Sequence, residues 1–225
     1  MRIGVISDIH SNAPALQEVL DYFEDSGVDK VIHAGDVVGY NPYPNEVIRM
    51  VKKHKVISIN GNHDRAVLTM ETSWFNPVAE KAILWTRRTL SEESLEYLSD
   101  LESTLRFEFR GGTLSVYHGS PFNDDEYVEA VFATTRHLER AGTDILVLGH
   151  THKAFVRELK TGTIVNPGGL GQPRDGDWRT SLAILEPEKM EAKIVRLPYD
   201  VEAVRSRIQE VGLPPILGDR LKIGR

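Results

Sequence analysis

Arg2-Ile3-Gly4-Val5-Ile6-Ser7-Asp8-Ile9-His10-Ser11-Asn12-Ala13-Pro14 decides the fold. An apolar run of strand length ends on a polar cluster, and a proline follows where a helix opens, the position at which its missing N–H costs nothing. Leu16, Val19, Leu20 and Phe23 then recur at i, i+3, i+4, i+7, the stripe of one buried helix face, before Gly27 ends the helix. The grammar of strand, polar loop and helix repeats. Lys30 to Asp36 reads as a second strand entering the loop Tyr40 to Pro44, a helix carries Val47, Ile48 and Val51, and Lys55 to Asn60 reads as a third strand. Strands linked this way are expected to be parallel with right-handed crossovers.

Further along, two helices are expected between Asn76 and Leu101, the second opened by Ser91-Glu92-Glu93. Strands near Leu105 to Phe109 and Thr113 to Tyr117 flank a Gly111-Gly112 hairpin. A helix bearing Val128, Val131, Phe132 and Leu138 precedes a strand at Asp144 to Leu148. The texture then becomes short alternating strands, Phe155 to Leu159, Thr163 to Val165, Ser181 to Leu185 and Lys193 to Leu197. A helix with Val201, Val204, Ile208 and Val211 closes the pattern, and the tail from Leu213 to Arg225 shows no readable period. No Gly/Ser or Pro-rich linker divides the 225 residues, so 1–225 is read as a single domain. The expected class is α/β, with two facing mixed β-sheets flanked by helices.

Composition narrows the function. A net charge of -6 and the absence of a long basic run argue against bulk nucleic acid and anionic membrane as partners. Apolar runs fall far short of the roughly 20 residues that span a bilayer. Met1-Arg2 leads directly into the first strand, which leaves no room for a removable signal, and the expectation is a soluble, cytoplasmic protein. With no cysteine, a metal would have to be held by imidazole, carboxylate and amide groups.

Four clusters fit that requirement: Asp8-Ile9-His10, Gly35-Asp36, Gly61-Asn62-His63-Asp64 and Gly149-His150-Thr151-His152, joined by His118. Each follows an apolar run, so five strand ends would deliver oxygen and nitrogen ligands to one edge of a sheet. In Asp8-Ile9-His10 and His150-Thr151-His152 the i, i+2 spacing lets both side chains leave one side of an extended backbone. Any one cluster is more often an ordinary turn or cap. The order of all five, holding five of eight histidines, is what ordinary turns do not produce. The other histidines read as structural: His33 buried and hydrogen-bonded, His54 in the last turn of a helix, His137 on an exposed helix face.

In these motifs, D-x-H, GD, GNH-D, H and GH-x-H, the chain resembles the calcineurin-like metallophosphoesterases over roughly residues 2 to 185. Its length and the run Asn166 to Asp177 resemble the small prokaryotic phosphodiesterase branch. The resemblance implies an αββα sandwich and two divalent transition-metal ions, manganese foremost, with iron, zinc, cobalt or nickel admitted by the same donors. It implies that Asp8, His10 and His152 bind one ion, that Asn62, His118 and His150 bind the other, and that Asp36 bridges them. Two such ions bring +4 and two carboxylates return -2, leaving a surplus of about +2 for a phosphoester anion. A bridging water would lose its proton near pH 7 instead of ~15.7 and attack phosphorus in line.

His63, by the same resemblance, donates a proton to the leaving oxygen, which suits an imidazole with a pKa near 6.5. Asp64 either holds that imidazole or caps the following turn. Asn12 caps the first helix or faces phosphate. Arg174, in a glycine-rich loop, is a candidate phosphate clamp. The loop from Tyr40 to Pro44 stacks a base, walls the pocket or is a rigid surface turn. Protein phosphatases and symmetrical dinucleoside tetraphosphatases place an Arg shortly after Gly-Asp, whereas this chain continues Val37-Val38-Gly39-Tyr40. The expected function is a phosphoric ester hydrolase acting on small nucleotide-like phosphodiesters. A noncatalytic protein-binding scaffold and a nuclease are the competing readings, and homo-oligomerisation is left open.

Overall fold

The structure, a computed structural model, describes residues 1–225. It begins with β1 (Ile3–Ile6), α1 (Ala13–Asp25), β2 (Lys30–His33), α2 (Pro44–Lys53), β3 (Ile57–Ser58) and α3 (Asn62–Thr69). Helices α4 (Pro77–Thr89) and α5 (Glu92–Ser99) precede β4 (Thr104–Phe109), β5 (Gly112–Tyr117), α6 (Thr135–Ala141) and β6 (Ile145–Val147). The chain continues through β7 (Phe155–Leu159), β8 (Gly162–Asn166), β9 (Thr180–Glu186) and β10 (Glu191–Leu197), and ends in α7 (Val201–Glu210) and α8 (Ile216–Leu221).

Two five-stranded mixed sheets result, ordered β10-β9-β1-β2-β3 and β4-β5-β6-β8-β7. In the first, β1, β2 and β3 run parallel; in the second, β5, β6 and β8 do. Three cores separate the layers. Ile3, Val5 and Ile32 of the first sheet meet Leu114, Val116, Ile145 and Val147 of the second. Ile6 and its neighbours face α1, α2, α4, α5, α7 and α8. Leu146, Leu148 and Ile164 face Leu138 of α6. Alternation along a strand thus sends successive side chains to different cores, and the order of layers is α/β/β/α.

The first unit shows how sequence builds this. Asn12 caps α1, its Oδ1 accepting the N–H of Ala15 at 3.2 Å, and Pro14 lies in the first turn. Leu16, Val19, Leu20 and Phe23 are buried as their spacing requires, each contributing about 1.5–3 kcal/mol. A Cβ on Gly4 would stand 2.7 Å from the Phe23 ring, so glycine sets how closely α1 approaches β1.

Several expectations need correction. No helix runs through Val128 to Phe132: Val131 and Phe132 are 70% and 69% exposed, and α6 starts at Thr135. His137 is buried rather than exposed, its Nδ1 accepting the N–H of Thr134 at 3.2 Å. His33 is buried, but neither ring nitrogen has a hydrogen-bond partner. The strand expected from Lys55 shrinks to Ile57–Ser58, because Lys55 turns left-handed at φ 53°. The unreadable tail forms α8, anchored by buried Leu213, Leu217 and Leu221. His54 sits at the C-cap of α2, as expected.

Candidate metal centre

The five polar clusters converge from both sheets. Asp8, Asp36 and Asn62 follow the ends of β1, β2 and β3, and His118 and His150 follow β5 and β6, which corrects the expectation of a single sheet edge. The i, i+2 pairs also meet differently than expected. Their backbone is not extended: φ is 54° at Asp8, 45° at His10, 64° at His150 and 58° at His152, and Asp36 shares this left-handed turn at 62°. Left-handed non-glycine residues cost of order 1–3 kcal/mol each. Here the turns are locked by main-chain bonds, Asp8 N–H to Gly35 O, His10 N–H to Asp36 O and Ser11 N–H to Val37 O, each 3.0 Å.

Two groups of donor atoms form. His10 Nε2 lies 3.2 Å from His152 Nε2, and His152 Nε2 lies 3.3 Å from Asp8 Oδ1. His118 Nε2 lies 3.1 Å from Asn62 Oδ1 and 3.1 Å from His150 Nδ1. Asp36 stands between them, its Oδ2 3.4 Å from Nε2 of both His10 and His118. Atoms bound at about 2.1 Å around one ion are separated by roughly 3.0–3.4 Å, the edge of an octahedron or tetrahedron, so these spacings fit shared cations. His10, His118 and His152 donate Nδ1–H to the carbonyls of Val38 (3.1 Å), Ala34 (2.8 Å) and Gln172 (2.6 Å), which turns Nε2 inward on each ring. Facing lone pairs repel, and a cation between them reverses the sign. Asp8 Oδ1 is buried with no hydrogen-bond partner, as expected of an atom reserved for a metal.

Three of the ring ligand candidates are held neutral, and His118 is not. Burial holds His10 and His152 well below the usual imidazole value and lowers His150 to about 3. Burial pushes Asp36 up, but the imidazoles of His118, His63 and His10 outweigh it and hold the carboxyl well below its usual range. His118 goes the other way, raised against burial by Asp36 to about 9, so without a cation its Nε2 carries a proton that faces the Asp36 carboxylate.

The remaining predicted residues divide. His63 is 3% exposed; its backbone N–H donates to Asp36 Oδ1 at 2.8 Å, and its ring packs against His10, Tyr40 and Phe75. Contrary to the expected pKa near 6.5, burial lowers it to about 4, so the imidazole is neutral at pH 7. His10, Asp36 and His63 also come within 4.8 Å of one another. Asp64 does not hold His63. It accepts the N–H groups of Val37, Val38 and Gly61 at 3.0–3.1 Å, clamping the Asp36 loop to the start of α3. Gly61 is required there because a Cβ would overlap the Asp36 carboxylate. Asn12 is fully buried, its Nδ2 donating to Gly171 O at 2.9 Å, so it caps α1 instead of facing the cleft.

A cleft of about 620 Å³ opens on Asn62, His63 and His150, and Arg174 lies on its wall. Tyr40 forms another wall, only 5% exposed. Trp74, Phe75, Tyr127 and Arg220 also line it, and sequence reasoning missed all four. Trp74 is 91% exposed at the mouth. Tyr127 covers His150, ring centroids 3.9 Å apart.

Two metal-ready groups at the carboxyl ends of facing mixed sheets define a metallophosphoesterase fold, and comparison supports that class. The model of the calcineurin-like phosphoesterase superfamily domain matches residues 1–190, and the chain belongs to that superfamily. It is 34% identical to the uncharacterized protein MJ0912 of Methanocaldococcus jannaschii, with 99% of this chain and 98% of that protein covered. The crystal structure of a metallophosphoesterase from Sphaerobacter thermophilus, 35% identical, covers 100% of both chains with a TM-score of 0.84. Phosphodiesterase YfcE of Escherichia coli is a more distant relative, 26% identical over 79% of this chain and 83% of its own. No helix is long and apolar enough to cross a membrane.

Proposed function

We propose that the chain is a phosphoric ester hydrolase that uses two divalent transition-metal ions, manganese foremost, on small nucleotide-like phosphodiesters. The observation that carries this is Asp36 Oδ2, 3.4 Å from one inward-facing imidazole nitrogen of each donor group. Asp8, His10 and His152 would hold one ion and Asn62, His118 and His150 the other, with Asp36 between. The bound ions would supply positive charge for phosphoryl oxygens and a water acidic enough to attack at neutral pH.

The chain's own groups do the rest. The carbonyls of Val38, Ala34 and Gln172 orient the imidazoles, and Asp64 fixes the loop carrying Asp36. His63, on the floor of the cleft, acts on the leaving oxygen. Burial keeps it neutral without substrate, and the negative charge of a bound phosphoester favours its protonated form. Arg174 steadies a substrate phosphate. Trp74, Phe75 and Tyr127 give the cleft aromatic surface, which favours a substrate with a planar base.

The test uses metal-reconstituted protein with matched nitrophenyl and nucleoside phosphodiesters. An alkoxide leaves poorly without a proton, whereas nitrophenolate needs little help. His63→Ala should therefore lose about 10²-fold or more with the nucleoside ester and far less with the nitrophenyl ester, both ions remaining bound. Equal losses would remove the acid role, and loss of an ion would make His63 a ligand. A protein holding two ions yet hydrolysing neither ester would be a binding scaffold.

A further inference from the structure

Arg174 and Arg220 enter the metal-centre cleft from distant parts of the chain, and Arg220 lies beyond residues 1–190 of the family match. Neither is paired with a side-chain carboxylate. The third arginine of the cleft, Arg65, is neutralised by Asp125, and Glu71 is engaged by the N–H of Ser73. Arg174 donates one terminal nitrogen to Tyr40 Oη and Gln172 Oε1, both at 3.2 Å, and its guanidinium carbon lies 5.6 Å from the Tyr40 ring centroid. Its Nε is buried with no partner. Arg220 donates Nε to the main-chain oxygen of Arg225, the last residue described, at 3.1 Å, and its two terminal nitrogens have no side-chain acceptor.

The position of Arg220 is built. Leu217 and Leu221 bury one face of α8, and Leu213 is buried just ahead of it. Two ion pairs fasten α8 to α7, Arg205 to Asp219 at 2.8 Å and Lys222 to Glu202 at 2.6 Å. Both guanidiniums line the same cleft, and burial first, then the Arg174 charge, lowers the Arg220 pKa. Like charges that share a cleft repel, and an anion between them offsets the repulsion. Guanidinium forks match phosphate oxygens.

We propose that Arg174 and Arg220 form a second anion site for a further phosphate of the substrate, so that preferred substrates carry one phosphate at the metal centre and another at these guanidiniums. This rests on the phosphoesterase reading, because the first phosphate is placed by the metals.

Phosphonates test it without turnover, since their P–C bonds resist hydrolysis. Metal-loaded protein is titrated calorimetrically with alkylphosphonates and α,ω-bisphosphonates of about two to six methylene groups, with metal content checked afterwards. At one or more lengths the bisphosphonate should bind about 10-fold tighter or more than its monophosphonate. Arg220→Gln should abolish that gain, and Arg220→Lys should keep part of it, having the charge without the fork. No gain at any length in the native protein overturns the proposal, as does a gain that survives Arg220→Gln. Ester hydrolysis without any bisphosphonate gain removes this site and leaves the hydrolase reading standing. A gain without hydrolysis of any ester supports the site and removes that reading.

Discussion

Replacing Asp36 with Asn isolates charge from shape. The amide keeps an acceptor for the His63 N–H, now 2.8 Å from Oδ1, and removes the one carboxylate that stands between the two donor groups. A unit charge pair at 4 Å is worth about 4 kcal/mol at an effective dielectric constant of 20, so each divalent ion should lose on the order of 10³-fold or more in affinity. Asp8→Asn should weaken only one ion, because Asp8 Oδ1 approaches His10 and His152 alone among the ring nitrogens of the site. Metal titration by calorimetry, with elemental analysis after desalting, should find two ions in the native protein, one in Asp8→Asn and none in Asp36→Asn. Retention of one ion at native affinity by Asp36→Asn would refute the bridge. The metal-free protein gives a second readout. A carboxyl held below its unfolded value stabilises the fold above that value and loses the contribution as pH falls through the folded one. Metal-free Asp36→Asn should therefore be less stable than native at pH 7, with the difference shrinking in strong acid.

Other expectations follow from the same contacts. Gly61→Ala should displace the Asp36 carboxylate and reduce metal content at both sites, measured by elemental analysis, while the far-UV spectrum stays native. Burial lowers His33 to about 3, so between about pH 6.5 and 3 the unfolded chain takes up a proton that the folded one refuses. That costs about 2 kcal/mol between pH 7 and 5, and urea unfolding of metal-free His33→Leu should show a correspondingly shallower loss across this range. Arg174→Ala should mainly raise KM with metal content intact, and Arg174→Lys should recover part of it; unchanged kinetics would return Arg174 to a role in holding Tyr40.

The divide between what the sequence discloses and what it hides has a physical origin. Side-chain identity and order are written directly, so the seven donors were legible at strand ends, and the structure brings them together. Amphipathic stripes were legible where helix and core agree, as at Leu16, Val19, Leu20 and Phe23. Val131 and Phe132 carry a similar stripe but are exposed in a loop, because an apolar pattern does not reveal whether a surface exists to cover it. Leu213, Leu217 and Leu221 did carry i, i+4, i+8 spacing, and Pro214-Pro215 a helix start. The run was too short to stand out from an irregular tail.

The site's geometry was the least legible part. Its orientation depends on main-chain carbonyls of Val38, Ala34 and Gln172 and on left-handed turns at Asp8, His10 and His152. A carbonyl is the same in every residue, and no periodicity marks a single positive φ. Asp64 shows the consequence. Adjacent to His63 in sequence, it invited the reading of a catalytic partner, yet its three acceptor contacts are all to backbone. The carboxylate closest to the chemistry in sequence is thus structural, and the one that stands between the donor groups comes from another strand. Chemistry in this chain can be inferred from which side chains occur in order, whereas the positions that let them act together are set by backbone that the sequence leaves unmarked.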